Sequence, residues 1–249
     1  CTLGVSFSPL WTGFTTHHID CDHLSDFHEA VLLDEEDTNG RGRHFVNCGV
    51  PMPSFEVEIR DDNRVLQDWQ SGVIYLRGPS VMSGYFRLPE ETSHALDADG
   101  WLNTGDIGYL VDGVLTITGR KKDLIIIHGR NIWPQDLEHI AEAEPEVRSG
   151  DAVAFSVPDH EGEEMCVLLV QCRETDQKKR NNLVRRLSAL MRLEMGLDCY
   201  VELAPPHSLP KTSSGKLSRA KARLDFISSH QADNLNAVTE EFRLRVASA

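Results

Sequence analysis

Short apolar or alternating runs, separated by glycine and proline, dominate the first half of the chain. Three of them, at residues 55–59, 73–76 and 114–118, have the length and side-chain alternation that are typical of β-strands. Residues 89–96 fit a helix of one or two turns, because Pro89 can occupy the first helical position. The pattern therefore predicts a mainly β region up to about Thr118.

After Gly119 the pattern changes to strands that alternate with helices. Residues 123–129 (DLIIIHG) form an apolar run that predicts a strand, and Pro134 then opens a helix. In that helix Leu137, Ile140 and Ala141 share one face, at the i, i+3, i+4 spacing of an amphipathic helix.

The rest of this second region contains two apolar runs and a long helical pattern. Residues 153–157 and 167–170 predict buried strands, and residues 177–196 predict an amphipathic helix. The basic residues of that helix fall largely outside its apolar stripe, so we interpret them as solvated surface residues. They are Lys178, Lys179, Arg180, Arg185 and Arg186.

The switch in pattern at residues 119–122 is the predicted domain boundary. A β-rich region followed by a region of alternating strands and helices is an α/β (α+β) fold class. The chain begins at Cys1, and the residues after it already resemble the middle of a strand, so we expect an incomplete protein. The tail after about Ser229 is polar enough to be partly disordered.

The composition of the chain argues against several functional classes. A net charge of −14 over 249 residues argues against a nucleic-acid-binding protein, which must present basic surface to phosphates. No apolar run approaches the roughly 20 residues of a membrane span, and no secretory signal is recognisable, so we expect a cytoplasmic protein. The six cysteines lack paired short spacings and are interpreted as reduced and mostly buried.

The sequence LPKTSSGKLSR, at residues 209–219, is the sharpest candidate for chemistry. A glycine followed by lysine suggests a phosphate-binding P-loop, but that motif needs glycine where Pro210 stands and Ser or Thr where Leu217 stands. What remains is a Ser/Gly loop that presents Lys216. A solvated surface lysine is the alternative, and it is weakened only by the motifs that accompany the loop.

A second candidate is Asp106, in the sequence WLNTGDIGYL at residues 101–110. Its two carboxylate oxygens could accept hydrogen bonds from both hydroxyls of a ribose. An aspartate in a Thr-Gly turn is, taken alone, usually only a turn residue. Two further stretches surround it in the chain: GVIYLRGPSVMSGYF at 72–86 and GRKKDLIIIHGRNIWPQDLE at 119–138.

A cluster of metal-capable side chains lies near the start of the chain. Its members are His17, His18, Asp20, Cys21, Asp22 and His23. Zinc sites need a defined spacing such as paired cysteines or helical histidine pairs, and this run has neither. We therefore predict a polar loop here, with no metal site.

Taken in order, the four stretches at 72–86, 101–110, 119–138 and 209–219 resemble the adenylate-forming enzymes, which include acyl-CoA synthetases, luciferases and peptide-synthetase adenylation domains. Among them the chain most resembles the fatty acyl-AMP ligases, which also carry an apolar residue at Ile126 and aspartate at Asp136. The segment at about 18–46 looks like the insertion of those ligases. The resemblance implies that residues 1–118 belong to the large AMP-binding domain, 119–122 to a hinge and 123–249 to a small mobile domain.

The resemblance also implies an activity. A fatty acid would be joined to the α-phosphate of ATP with release of pyrophosphate, and the acyl group would then pass to the phosphopantetheine thiol of an acyl carrier protein or a polyketide or peptide synthase. Lys216 would be the catalytic cation, Asp106 and Arg120 would bind the ribose and phosphates, and Lys122 would be the hinge residue. Val73 departs from the glutamate that is common in the family.

Two parts of the implied machinery lie upstream in relatives and are not in these 249 residues: the Ser/Thr/Gly-rich phosphate loop and the segment with the Mg²⁺-binding glutamate. We therefore expect this chain alone not to complete adenylation. Two other functions remain open at this point. One is a fatty acyl-CoA synthetase that transfers to CoA, and the other is a non-catalytic binding or regulatory module.

Overall fold

The computed structural model describes residues 4–11, 13–34, 41–62, 64–158, 163–213 and 215–230. The chain divides into two compact units, Cys1–Lys122 and Asp123–Ala249. The first unit is built mainly of strands, and the second alternates strands with helices. The predicted mixed α/β class is therefore confirmed.

The first unit is organised around one antiparallel sheet of five strands, with strand order β6-β5-β7-β8-β9. Two small antiparallel pairs, β1 with β4 and β2 with β3, accompany it. The elements follow in the order β1 (Ser6–Phe7), β2 (Thr16–Asp20), α1 (Cys21–Phe27), β3 (Gly42–Val46), β4 (Val50–Pro51), β5 (Glu56–Asp61), β6 (Arg64–Val65), β7 (Gly72–Arg77), α2 (Pro89–Ala95), β8 (Leu102–Val111) and β9 (Val114–Arg120).

Alternating side chains explain why these residues form that sheet. One face carries Ile59, Ile74, Leu76 and Leu115, which are almost fully buried and pack together. Burying such a side chain contributes about 1.5–3 kcal/mol, so this face alone favours the observed register. The predicted strands at 55–59, 73–76 and 114–118 are confirmed within one or two residues, as is the short helix that starts at Pro89.

A second apolar cluster joins the segment around β2, α1 and β3 to the sheet. Ile19, Leu24 and Phe45 are buried there against Tyr109 of β8. Polar groups inside the cluster are paired with one another: His17 Nδ1 lies 3.0 Å from the Tyr109 hydroxyl, and Asn47 Nδ2 lies 3.3 Å from His17 Nε2. Burial lowers the pKa of His17 and raises the pKa of Tyr109 to about 12.

The second unit begins with a short 3₁₀ helix that crosses its boundary, Lys121–Asp123, and a small hairpin. In chain order its other elements are β10 (Ile125–Ile127), β11 (Arg130–Ile132), α3 (Pro134–Glu142), β12 (Ala152–Pro158), β13 (Glu164–Gln171), α4 (Gln177–Met195), β14 (Cys199–Ala204) and α5 (Arg219–Ser229). The run at 123–129 is thus shorter as a strand than its apolar pattern predicts. His128 and Gly129 both have positive φ angles, which end β10 in a tight hairpin turn.

Helices cover both faces of the three-stranded sheet β12-β13-β14. The side chains of α3 and α4 pack on one face, for example Leu137 and Leu187 against Leu168, and Phe226 of α5 packs on the other against Phe155. A sheet that is covered on both faces needs apolar residues at consecutive positions, which explains the unbroken runs in β12 and β13. The parallel pairing of β13 with β14 is made possible by the α4 crossover.

Helix α4 has clear ends and paired surface charges. The Asp176 side chain accepts from Lys179 N–H at the start, and Gly196 ends the helix with a φ of 59°. The sequence interpretation of its basic residues as simply solvated needs correction, because several are engaged. Lys179 pairs with Glu174 at 3.1 Å, Arg186 with Glu144 and Glu146 at 2.9 and 2.7 Å, and Arg180 donates to the Leu203 carbonyl.

No helix in the described ranges is both long and apolar enough to cross a membrane.

Candidate functional site

The four residues Asn103-Thr-Gly-Asp106 of β8 form a tightly bonded turn in the first unit. The Thr104 hydroxyl donates to the Ile74 carbonyl at 2.8 Å and accepts from Asp106 N–H at 3.1 Å, and Gly105 N–H donates to the Asn103 side chain at 2.9 Å. Gly105 has a φ of 72°, a conformation that glycine adopts without strain. These bonds fix the backbone immediately before Asp106.

Asp106 and Arg120 lie opposite each other on neighbouring strands. They are register partners in the β8–β9 ladder, and Arg120 Nε donates to Asp106 Oδ1 at 2.9 Å. The Asp106 side chain is 31% exposed and that of Arg120 is 58% exposed. Both side chains are therefore partly exposed, and they combine an oxygen acceptor for hydroxyls with a permanent cation for phosphates.

An open groove of about 740 Å³ adjoins this pair, within the first unit. Arg120, Lys122 and the Thr104–Gly105 turn all contribute to its lining. Side chains from α2 and the loop before it complete the wall. The lining includes Tyr85, Glu91, His94, Asn103, Arg120 and Lys122.

Lys216 lies in the second unit, on a short closed loop. Lys211 and Leu217 form a β-bridge across the loop, and Thr212 N–H donates to the Lys216 carbonyl at 2.7 Å. The Thr212 hydroxyl accepts from Lys216 N–H at 3.2 Å, and Gly215 turns the chain with a φ of 81°. The loop thus presents an exposed Lys216 side chain on a backbone that is held by its own hydrogen bonds.

Both ends of the loop are anchored in the second unit. Before it, Leu209 is buried and its N–H donates to the Gln171 side chain at 3.3 Å. After it, Arg219 at the start of α5 pairs with Glu138 and Asp123. Burial would lower the pKa of Arg219, but these two carboxylates outweigh burial, so that its pKa is raised.

The predicted site residues therefore fall into two groups. The structure brings Asp106 and Arg120 into contact and puts Lys122 on the same groove, whereas Lys216 belongs to the other unit. Ile126 is exposed at the centre of β10, between two buried isoleucines.

Sequence reasoning missed the α2 wall of the groove and the anchors of the lysine loop. Glu91 and His94 stand in a stretch with no distinctive spacing, so no local signal identifies them. Arg219 is different, because it closes the LPKTSSGKLSR sequence and could have been identified there by its distance of three residues from Lys216.

The cluster of metal-capable residues near the start of the chain has other roles. Asp20 accepts from Asp22 and His23 N–H and so caps α1, while the ring of His18 stacks on that of His44. Among the residues that the structure describes, no group of three or more His, Cys, Asp and Glu side chains is arranged to hold a metal ion. The predicted polar loop is here a strand followed by a helix.

Comparisons with known proteins show which sequences are related to this chain. Residues 25–86 match the family described as AMP-binding enzyme. Over 234 residues, 93% of this chain and 40% of the relative, the chain is 45% identical to a candidate acyl-CoA synthetase of Caulobacter vibrioides. It is 37% identical over 198 residues to the medium-chain-fatty-acid–[acyl-carrier-protein] ligase JamA of Moorena producens, with 74% of this chain and 33% of JamA covered.

The fold is similar as well. A structure from a study of fatty acyl-adenylate ligases of E. coli and L. pneumophila superposes with a TM-score of 0.81 and 43% identity, and covers 91% of this chain and 40% of that one. Sequence and fold together place the chain in the AMP-binding, adenylate-forming enzyme superfamily, as its motifs predict. The chain spans about 40% of the length of the first of these relatives.

Proposed function

We propose that the protein to which this chain belongs activates a fatty acid as its acyl-adenylate and then transfers the acyl group to a thiol. The observation that carries this proposal is the Asp106–Arg120 pair, held on two paired strands beside an open groove. A ribose needs an acceptor for its hydroxyls, and phosphates need a fixed cation. The pair offers both within one contact.

In the first half-reaction, an oxygen of the fatty-acid carboxylate attacks the α-phosphorus of ATP. The bond to the leaving pyrophosphate breaks, and an acyl–phosphate anhydride forms. Two anions must approach each other, and negative charge accumulates on the phosphoryl oxygens. Lys216 supplies the cation that stabilises this charge, because its exposed ammonium is carried on a loop with a defined backbone.

In the second half-reaction, a thiolate attacks the acyl carbonyl carbon and AMP leaves. Lys122 is the proposed hinge at which the second unit rotates between the two steps. It stands at the end of the first unit, within the 3₁₀ helix Lys121–Asp123. Rotation there needs backbone freedom at a few residues rather than any special side chain.

Mg²⁺ is the ion expected to accompany ATP in this chemistry, where it would neutralise phosphate charge. The side chains that the structure describes do not offer a group of three metal ligands. The ion is therefore not assigned to any residue of this chain, and no step above depends on it.

The proposed acceptor is the phosphopantetheine thiol of an acyl carrier protein, either free or within a polyketide or peptide synthase. The likeness to JamA, a ligase that acts on an acyl carrier protein, supports it. The exposed apolar Ile126 on β10 also supports it, because an apolar side chain offers no charge to the phosphates of CoA. CoA is the second candidate acceptor, and the Caulobacter relative favours it.

The test is to follow each half-reaction in the full-length protein. We expect fatty-acid-dependent exchange of pyrophosphate into ATP, and release of AMP from preformed acyl-adenylate when phosphopantetheinylated carrier protein is added. Release of AMP with CoA and not with carrier protein would overturn the proposed acceptor, while the proposed activation step would stand. An absence of exchange with every fatty acid would overturn the function itself.

A further inference from the structure

We infer that Arg219 is a positioning residue for Lys216, and that it acts by tying the base of the lysine loop to Asp123 and Glu138. This inference rests on the proposed function, since it concerns how Lys216 is held for adenylation. Arg219 itself is not proposed to touch ATP or the fatty acid.

The guanidinium of Arg219 makes three charged hydrogen bonds in the second unit. Its Nε and Nη2 donate to Glu138 Oε1 and Oε2 at 2.8 and 2.6 Å, which is a bidentate pairing, and its Nη1 donates to Asp123 Oδ2 at 2.9 Å. The three side chains are largely buried, with 19%, 11% and 23% of their surface exposed for Arg219, Glu138 and Asp123. Bidentate pairing fixes the orientation of the guanidinium as well as its position.

The partners of Arg219 are themselves held in place. Glu138 lies on α3 and its Oε1 also accepts from Ala154 N–H of β12 at 3.0 Å, so the carboxylate is bonded to the sheet. Asp123 directly follows Lys122, the proposed hinge residue. Arg219 therefore connects the start of α5 with one helix, one strand and the first residue of the second unit.

This connection controls the loop because the loop is short and closed. Ser218 N–H donates to the Pro210 carbonyl at 2.9 Å, which joins the two ends of the loop one residue before Arg219. Lys216 stands only three residues before Arg219. A shift at the base of α5 would therefore be passed to Lys216 with little attenuation.

Stability alone is a poor explanation for such a network. Removing three charged side chains from water costs free energy that their mutual attraction offsets only when the geometry is good, and buried ion pairs are often replaceable by apolar residues without loss. An apolar replacement could not, however, fix the orientation of the start of α5 relative to Glu138 and Asp123. The network is therefore better suited to holding the loop in one orientation than to strengthening the fold.

The test compares Arg219→Met and Arg219→Lys with Arg223→Met in the full-length protein. Arg223 is a matched control, because it lies one turn further along α5 and its Nε donates to the Ser156 carbonyl at 2.8 Å, away from the carboxylates. The measurements are kcat and KM for ATP in pyrophosphate exchange, the rate of acyl transfer from preformed acyl-adenylate, and thermal unfolding.

We expect Arg219→Met to lower kcat for exchange by about 10²-fold, as misplacement of a catalytic group does, with unchanged KM for ATP and unchanged acyl transfer. Arg219→Lys should recover part of kcat, because it restores the charge but not the bidentate contact. Arg223→Met should leave kcat as in the wild type. Wild-type kcat in Arg219→Met, or an equal loss of kcat in Arg223→Met, would overturn the inference.

Two further variants complete the experiment. If Arg219→Met does not fold, Glu138→Gln decides, since it retains the shape of the side chain and weakens the same pairing; we expect a fall in kcat with unchanged KM, and unchanged kcat would overturn the inference. Lys216→Ala in the same assays separates the proposed catalytic role of Lys216 from the positioning role of Arg219. If Lys216→Ala retains exchange, the proposed role of Lys216 fails; if it loses exchange while Arg219→Met retains it, only the positioning role fails.

Discussion

The two candidate regions of this molecule hold their functional groups in different ways. Asp106 is held by a strand ladder, by the Thr104 hydroxyl and by a direct bond to Arg120. Lys216 is exposed on a loop that is anchored in the second unit at both of its ends. This difference fits the proposed roles. A group that binds ATP throughout the proposed cycle suits a rigid sheet, whereas a cation proposed to act in only one half-reaction suits a separate unit.

The largest effect that distinguishes the two regions is expected at Lys122, the proposed hinge between them. Lys122→Pro restricts the backbone at residues 121 and 122, so acyl transfer should fall by more than about 10²-fold while adenylation is spared. Both half-reactions are measured separately, by pyrophosphate exchange and by release of AMP from preformed acyl-adenylate. Lys122→Ala is the control, because it removes the side chain and leaves the backbone free. Equal loss of both half-reactions in Lys122→Pro would argue against a hinge.

In the sheet of the first unit, Asp106→Asn is expected to weaken ATP binding. The amide retains the shape of the carboxylate but loses its charge and one acceptor, and hydrogen bonds to charged groups contribute about 1.5–3 kcal/mol, so KM for ATP should rise roughly 10- to 100-fold. Asp112→Asn is the matched control, because Asp112 lies exposed in the turn between β8 and β9. A KM for ATP that does not distinguish the two variants would remove Asp106 from the binding site.

A smaller effect is expected where the turn before Asp106 is bonded to β7. Thr104→Val leaves the Ile74 carbonyl and the Asp106 N–H without their partner, which should lower the free energy of unfolding by about 1–3 kcal/mol. Urea unfolding of the full-length protein measures this. Thr175→Val, at an exposed position, serves as the control. If the two variants are equally stable, the hydroxyl does not support the turn.

The smallest effect concerns pH. Burial lowers the folded-state pKa of His17 below its unfolded value of about 6.5, so the unfolded chain binds the proton first and stability falls as the pH drops below that value. Trp69, whose ring centroid lies 5.2 Å from that of His17, provides a local fluorescence probe of unfolding. In His17→Gln the dependence of stability on pH between about 5 and 7 should be shallower. An unchanged slope would mean that His17 does not titrate differently in the two states.

Local patterns predicted much of the fold. Alternation at residues 73–76 and the proline-initiated helices at Pro89 and Pro134 were sufficient, because each pattern depends on neighbouring residues only. The run at 123–129 was predicted too long, since its apolar residues do not reveal the hairpin turn at His128 and Gly129. The basic residues of α4 were misinterpreted because some of their partners, such as Glu144 for Arg186 and the Leu203 carbonyl for Arg180, lie in other segments.

For the candidate site, the sequence motifs identified Asp106, Arg120, Lys122 and Lys216, and their roles stay predictions. Their surroundings could not be predicted in the same way. The pairing of Arg219 with Glu138 joins residues that are 81 positions apart, and the groove beside Arg120 is walled by α2. Such contacts depend on how distant helices and strands pack together, and a local sequence pattern does not predict that packing.

The most direct test of the account is the effect of Lys216→Ala on adenylation in the full-length protein. Removal of a fixed charge-stabilising group should lower fatty-acid-dependent pyrophosphate exchange by about 10²- to 10³-fold. Lys221→Ala, which removes another exposed lysine five residues further along the chain, should leave exchange unchanged. Exchange at the wild-type rate in Lys216→Ala would contradict the account.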